Sequence, residues 1–292
     1  MNLRPFGQTG LSVPALGFGA GPLGDERLSD DEAARLLHAA VDAGCTFLDT
    51  APSYGVSEER IGRHLAGRRD EVVLSTKVGY GIPGVEDWTA EAVTRGVERA
   101  RQRLQADVID VVHLHSCPLA TLEAGAVVDA LNACVAAGTV RVAAYSGENE
   151  ALAWAARSGR FRAVQTSLNV FDQRDVGSLI PEAKAAGLGV VAKRPNGNAP
   201  WRYAERPAGD YAEVYWDRMT AMGLGFGEGW AATALRFAAH HTGADVAIVG
   251  TTNPEHLRQN AAAVAAGPLP DRVVAEIRAA FSRHGAGWDG QV

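Results

Sequence analysis

The chain has 292 residues, 47% of them apolar and 21% charged, which are the proportions of an ordinary globular enzyme with a full-sized core. A formal net charge of −6 argues against nucleic acid or an anionic membrane surface as the main partner, and no apolar stretch is long enough to span a bilayer. The opening carries no signal-peptide pattern, and Cys45, Cys117 and Cys134 sit in apolar surroundings without ligand spacing, so a reducing, cytoplasmic setting is expected.

Taken in chain order, residues 3–13 predict a short β-hairpin turning at Gln8-Thr9-Gly10. A first apolar run follows over 15–20. Ser29-Asp-Asp-Glu32 then forms a capping box, in which serine and glutamate satisfy each other's backbone donors. It opens a helix with Leu36, Leu37, Ala40 and Val41 at helical spacing, and Gly44 closes it. Further apolar runs cover 46–49, 71–77, 108–115, 140–146, 163–168, 189–193 and 246–250. Helical patterns cover 58–65, 90–104, 122–137, 150–156, 177–186, 229–241 and 254–265. The runs are rich in Val, Ile, Leu and Ala with little alternation, as parallel strands covered on both faces require. Eight strands alternating with eight helices predict one (β/α)8 TIM barrel domain over 1–292. Residues 197–226, after strand seven, read as a long loop. Their aromatics, among them Trp201, Tyr203, Tyr211, Tyr215, Trp216 and Phe226, suggest that it covers a site.

Reactive groups in a barrel belong at the carboxyl ends of its strands. Strand two ends in Asp49, with Tyr54 in the following loop, strand three in Lys77, and strand four in His113-Leu-His115. Alone, Asp49 could cap a turn and Tyr54 could pack a loop. A lysine ending a buried run is harder to dismiss, because its desolvation demands a partner. His113 and His115 share one face of their strand, with His115 nearer the tip. Together the four suit carbonyl chemistry. A lysine ammonium favours the phenolate of a neighbouring tyrosine, an aspartate holds that lysine charged, and a histidine can bind the substrate oxygen.

At these residues the sequence resembles the aldo-keto reductase superfamily, along nearly its whole length. The likeness is carried by Phe6-Gly-Gln-Thr-Gly-Leu-Ser-Val with Leu16-Gly-Phe-Gly19, by Phe47-Leu-Asp-Thr-Ala-Pro-Ser-Tyr-Gly55, by Ser75-Thr-Lys77, and by Ile109-Asp-Val-Val-His-Leu-His115. The resemblance implies reduction of an aldehyde or ketone, with hydride from NADP(H) rather than NAD(H) and the proton from Tyr54. It gives Asp49, Lys77 and His115 as Tyr54's partners, with His115 rather than His113 the family histidine. For the cofactor it implies Gly19, Ala20, Asp49, Ser146, Gln165, Arg194 and Pro195, then Gly250, Thr251, Thr252, His256, Gln259 and Asn260. The last group opens a helix, a natural seat for phosphate. Trp88 and Trp201 are expected to line an apolar or ring-bearing substrate's pocket. Three positions depart from the family pattern: Gly147 stands for an asparagine, His256 for a frequent arginine, and Lys193 for an aromatic that stacks on nicotinamide.

Rival readings fit less well. Gly19-Ala-Gly-Pro-Leu-Gly24 satisfies the dinucleotide G-x-G-x-x-G pattern, but no helix opens at its end and Pro22 interrupts it. A metal-dependent hydrolase built on His113-x-His115 lacks further ligands at the other strand ends, so no metal is expected. A Schiff-base lyase using Lys77 leaves Tyr54 and Asp49 unexplained. A cofactor-binding regulator with little turnover is the non-enzymatic alternative. The only partner expected is a small carbonyl compound, and no feature of the sequence sets an oligomeric state.

Overall fold

A computed structural model describes residues 2–291. Its strands are β1 (Leu3–Pro5), β2 (Ser12–Pro14), β3 (Leu16–Gly19), β4 (Phe47–Asp49), β5 (Val73–Val78), β6 (Ile109–His115), β7 (Val140–Ser146), β8 (Ala163–Ser167), β9 (Gly189–Lys193) and β10 (Val246–Val249). β3 to β10 pair in parallel, in sequence order, and β10 returns to β3 to close the barrel. This is the TIM barrel the apolar runs predicted. β1 and β2 form the antiparallel hairpin, with Leu3 opposite Pro14.

The helices are α1 (Asp30–Asp42), α2 (Ser57–Leu65), α3 (Ala90–Leu104), α4 (Leu119–Ala124), α5 (Ala126–Ala136), α6 (Asn149–Arg157), α7 (Leu179–Ala185), α8 (Glu213–Met222), α9 (Trp230–His241), α10 (Pro254–Ala265) and α11 (Asp271–His284). The α1 capping box forms as its sequence requires, with both reciprocal bonds present. Three features depart from the sequence reading. The helix expected over 122–137 starts at Leu119 and breaks at Gly125, whose φ of +86° ends one helical path and begins another. The segment 197–226 is only partly loop, because it contains a 3₁₀ turn at Pro200–Arg202 and the helix α8. α11 had no counterpart in the reading, and it packs on α8.

These last elements share an apolar cluster. Phe171, Tyr215, Trp230, Phe237 and Ile277 form its buried part, with Trp201, Phe226, Phe281 and Trp288 packed against it. Of the six aromatics of the long connection, Tyr215 is thus buried in a second core and Trp201 and Phe226 pack against it, while Tyr211 stays exposed.

Polarity changes sharply along the barrel axis. At the hairpin end, Phe6, Leu11 and Val13 close the barrel against Phe47, Val111, Val142, Ala163, Val191 and Val246. Two residues past Phe47, Val111 and Ala163 the buried side chains become Asp49, His113 and Gln165, and Lys77 and Ser146 join them nearer the ends of their strands. Apolar layers therefore form a rigid floor beneath a polar mouth.

Candidate active site

Asp49 is the hub of the mouth. Its Oδ2 receives Lys77 Nζ at 2.6 Å, and its Oδ1 receives Ser75 Oγ at 2.7 Å and Gln165 Nε2 at 3.0 Å. Lys77 also donates to the Thr50 carbonyl at 2.7 Å. Asp49 and Lys77 are each 2% exposed, so burial works against both charges. Lys77 nevertheless holds the carboxyl below the usual range, and Asp49 holds the ammonium above it. The pair is a fixed ion pair at the foot of the site.

Tyr54 lies on the loop between β4 and α2, its ring centroid 5.2 Å from Lys77 Nζ, within cation–π range. Its ring meets that of His115 edge-on at 6.5 Å. Two glycines permit this placement. A Cβ on Gly24 would stand 2.0 Å from the Tyr54 carbonyl oxygen, and one on Gly55 would stand 2.5 Å from the Gly24 carbonyl oxygen. Residues 21–24 form a 3₁₀ turn, so Gly21 and Gly24 of the G-x-G-x-x-G match serve loop packing beside Tyr54.

His113 lies beneath the mouth, fully buried. Ser75 Oγ gives its one proton to Asp49, so it accepts from His113 Nε2 at 3.1 Å. Burial drives His113 down to about 4 and His115 to about 3, and Lys77 adds to both shifts. Both imidazoles are neutral at physiological pH.

Of the expected cofactor residues, Ser146 and Gln165 are buried and joined, Ser146 Oγ donating to Gln165 Oε1 at 2.7 Å. Gly147 has no room for a side chain: a Cβ there would stand 2.3 Å from the Tyr145 hydroxyl. Lys193 pairs with the buried Glu148 at 3.2 Å, and desolvation lowers the lysine pKa. Arg194 takes a φ of +51° and turns toward the chain end, donating to Ser167 Oγ at 3.2 Å and to the Gln291 carbonyl. Pro195 is buried beside it. Ala20 is also fully buried, its amide on the Asp49 carbonyl at 2.8 Å and its carbonyl accepting from Ser57 Oγ at 2.8 Å.

Gly250, Thr251, Thr252, His256, Gln259 and Asn260 line one cavity of 530 Å³ at the start of α10. Gly19 is adjacent, since the Gly250 backbone approaches so closely that a Cβ there would stand 2.7 Å from the Gly19 oxygen. Trp201, expected with Trp88 in a substrate pocket, lies in this cavity's wall instead, stacked on Trp230 at 5.3 Å. Trp88 lies on the other side of the mouth, 5.8 Å from Tyr80. The sequence reading missed Asn196 and Arg202, which line the same cavity, and Tyr80, which bonds to His115. Their one signal was position, in loops that follow strand ends.

These residues fit an anionic dinucleotide. The cavity wall holds Arg202, His256 and neutral donors without a carboxylate, although the chain is acidic overall. Asn196 Oδ1 is buried there with no partner among the described residues, an acceptor that a ligand hydroxyl or amine would satisfy. The described residues hold no group of three or more His, Cys, Asp or Glu placed to bind a metal ion, and no helix among them is long and apolar enough to cross a membrane.

Known proteins share this fold and parts of this sequence. The chain is 28% identical to D-threo-aldose 1-dehydrogenase of a Pseudomonas species, over 92% of this chain and 94% of that one. It is 35% identical to L-galactose dehydrogenase of Arabidopsis thaliana, but over only 42% of this chain and 40% of that enzyme. The solved structure of an aldo/keto reductase from Klebsiella pneumoniae, in complex with NADP and acetate, aligns with a TM-score of 0.72. It is 26% identical, over 94% of this chain and 93% of that one. The profile of the Aldo/keto reductase family matches residues 15–281, a span that includes β3 to β10 and every polar residue of the mouth, and the chain therefore belongs to that family.

Proposed function

We propose that the chain is an NADP(H)-dependent carbonyl oxidoreductase in which Tyr54 gives a proton to the oxygen of an aldehyde or ketone. The buried Asp49–Lys77 pair set against the Tyr54 ring carries this reading. Carbonyl reduction leaves negative charge on oxygen until a proton arrives, and a proton donor must then bear the charge itself. Lys77, held cationic by Asp49, offsets the charge on the Tyr54 oxygen where little water competes. Neutral His115 can bind the carbonyl oxygen without adding a charge. In the reverse direction the same groups accept the proton from an alcohol.

A nicotinamide dinucleotide, when bound, would supply or accept the hydride. Ser146 and Gln165 would hold its carboxamide end, and the cavity around Thr251, Thr252, His256, Gln259 and Asn260 would hold its phosphate and adenosine end. The NADP bound by the Klebsiella relative supports the phosphorylated form. The relatives named for D-threo-aldose and L-galactose favour a hydroxylated aldehyde as substrate, which suits a mouth with the exposed Ser53 hydroxyl at its edge.

The test is Tyr54→Phe, assayed by NADPH absorbance with a panel of aldoses and simple aldehydes, and by NADPH quenching of tryptophan fluorescence. The variant is expected to lose at least about 10²-fold in turnover, the usual contribution of a positioned proton donor, with cofactor binding intact. Unchanged turnover overturns the role of Tyr54, and faster turnover with NADH overturns the cofactor assignment.

A further inference from the structure

Resting on that reading, we infer that Tyr80 is a positioning residue, donating its phenolic proton to His115 Nδ1 so that His115 presents Nε2–H to the substrate oxygen. The observations concern a short segment after β5. Lys77 and Val78 end the buried strand, Gly79 turns the chain with a φ of +124°, and Tyr80 follows half-buried at the mouth. Its hydroxyl makes two contacts, one to His115 Nδ1 and one to Ser53 Oγ at 3.1 Å. The Tyr80 ring lies 5.5 Å from the His115 ring, inclined by 32°.

Tyr80 is itself held in place. The Trp88 ring packs against it at 5.8 Å, and the Trp88 amide donates to the Gly79 carbonyl at 2.7 Å. Gly79 has to be glycine, since a Cβ there would stand 2.3 Å from the Trp88 ring. The order Trp88, Tyr80, His115, Tyr54 is thus a continuous aromatic wall, and Tyr80 is its one link with a hydroxyl aimed at the imidazole.

Proton bookkeeping then fixes the tautomer. A neutral imidazole has one donor and one acceptor nitrogen, and the partner of one nitrogen decides the role of the other. His115 is neutral, because burial and Lys77 disfavour its cation. Between the two hydroxyls of Tyr80 and Ser53 either can donate. The Tyr80 phenol has one proton, however, and an imidazole nitrogen is a far more basic acceptor than a serine hydroxyl, so Tyr80 gives its proton to His115 Nδ1 and Ser53 Oγ donates to the Tyr80 oxygen. The chain Ser53 to Tyr80 to His115 places the imidazole proton on Nε2. That tautomer suits a carbonyl oxygen, which only accepts, and it suits the oxygen better as negative charge develops there. The opposite tautomer would present a lone pair to a lone pair.

The experiment is ¹⁵N-histidine NMR of the full chain at neutral pH without cofactor, with His115 assigned by the signal lost in His115→Gln. Wild type is expected to show protonated Nε2 and unprotonated Nδ1, and Tyr80→Phe to show a mixture of tautomers. A His115 that is Nδ1–H in the wild type, or unchanged in Tyr80→Phe, overturns the inference whether or not the protein turns over any carbonyl. Kinetics add a second readout. Tyr80→Phe is expected to lower kcat roughly 10-fold, less than the ~10²-fold of a proton-transfer group, with NADPH affinity unchanged. In the His115→Gln background the same substitution should change nothing, and an equal loss there would show that Tyr80 does not act through His115. Absence of carbonyl turnover in the wild type, with the expected tautomers present, would count against the proposed reaction and leave the Tyr80–His115 assignment standing.

Discussion

Asp49 and Lys77 show how one pair of side chains couples stability to chemistry. Each is buried, and each tolerates burial only because the other is present. Lys77→Met would leave the Asp49 carboxylate with only Ser75 and Gln165 as donors, and is expected to cost about 3–5 kcal/mol in urea unfolding. Adding Asp49→Asn should recover most of that loss, since the uncompensated charge goes with it. The histidines make a separate prediction about acid. His113 titrates near 6.5 in the unfolded chain and near 4 when folded. The unfolded state therefore binds more protons between those values, and stability is full above pH 6.5 and falls as pH drops toward 4. The contribution of His113 is about 3 kcal/mol. Asp49, depressed when folded, works in the same direction at still lower pH. Urea unfolding between pH 7 and pH 4 measures the slope, and His113→Gln is expected to remove its own share while leaving that of His115, which burial shifts in the same direction.

At the scale of elements, the site depends on loops that cross at van der Waals contact. The 3₁₀ turn at 21–24 and the Tyr54 loop touch through Gly24 and Gly55, and Thr50, Ser57 and the Ala20 carbonyl are linked in one hydrogen-bonded chain of 2.8 Å steps. Gly24→Ala would force the Tyr54 carbonyl to move. We expect a loss of about 1–3 kcal/mol from overpacking, together with a drop in carbonyl turnover as Tyr54 leaves Lys77. A variant that lost stability but kept full turnover would show that the contact supports only the fold. The α1 cap is a control far from the mouth: Ser29→Ala removes the bond from the Glu32 amide to the Ser29 hydroxyl while the Ser29 amide keeps its bond to the Glu32 carboxylate, and it is expected to cost about 1 kcal/mol in thermal unfolding without changing turnover.

At the scale of the whole molecule, the barrel is locked on the β8–β9 side by the chain's last residues. Arg218 ion-pairs with Asp172 and donates to the Asp289 carbonyl at 2.6 Å, Asn149 Nδ2 donates to the Gly290 carbonyl at 3.2 Å, and Arg194 donates to that of Gln291. The tail thus covers a buried arginine and fixes the strand end that carries Lys193. Truncation after Gly287 is expected to lower the melting temperature by several degrees, at roughly 2–4 °C per kcal/mol for a chain of this class. It should also free Arg194, which a change in salt dependence of NADPH binding would report.

The sequence by itself determined the barrel, because parallel strands covered on both faces must be apolar and helices must carry their caps locally. The runs ending in Asp49, Lys77 and His115, and the capping box at Ser29, are signals of that kind. It also placed the polar residues at strand ends, where two-residue alternation sorts floor from mouth. The tertiary structure alone decided which of them meet. Tyr80 reaches His115 across 35 positions and Arg194 is taken up by Gln291 across 97, and no local periodicity encodes contacts at such separations. For the same reason Trp201 belongs to the wall beside Thr251 rather than beside Trp88. The stacking of Trp201 on Trp230 and the packing of α8 on α11 set its direction, and both follow from burying apolar surface between segments distant in the chain.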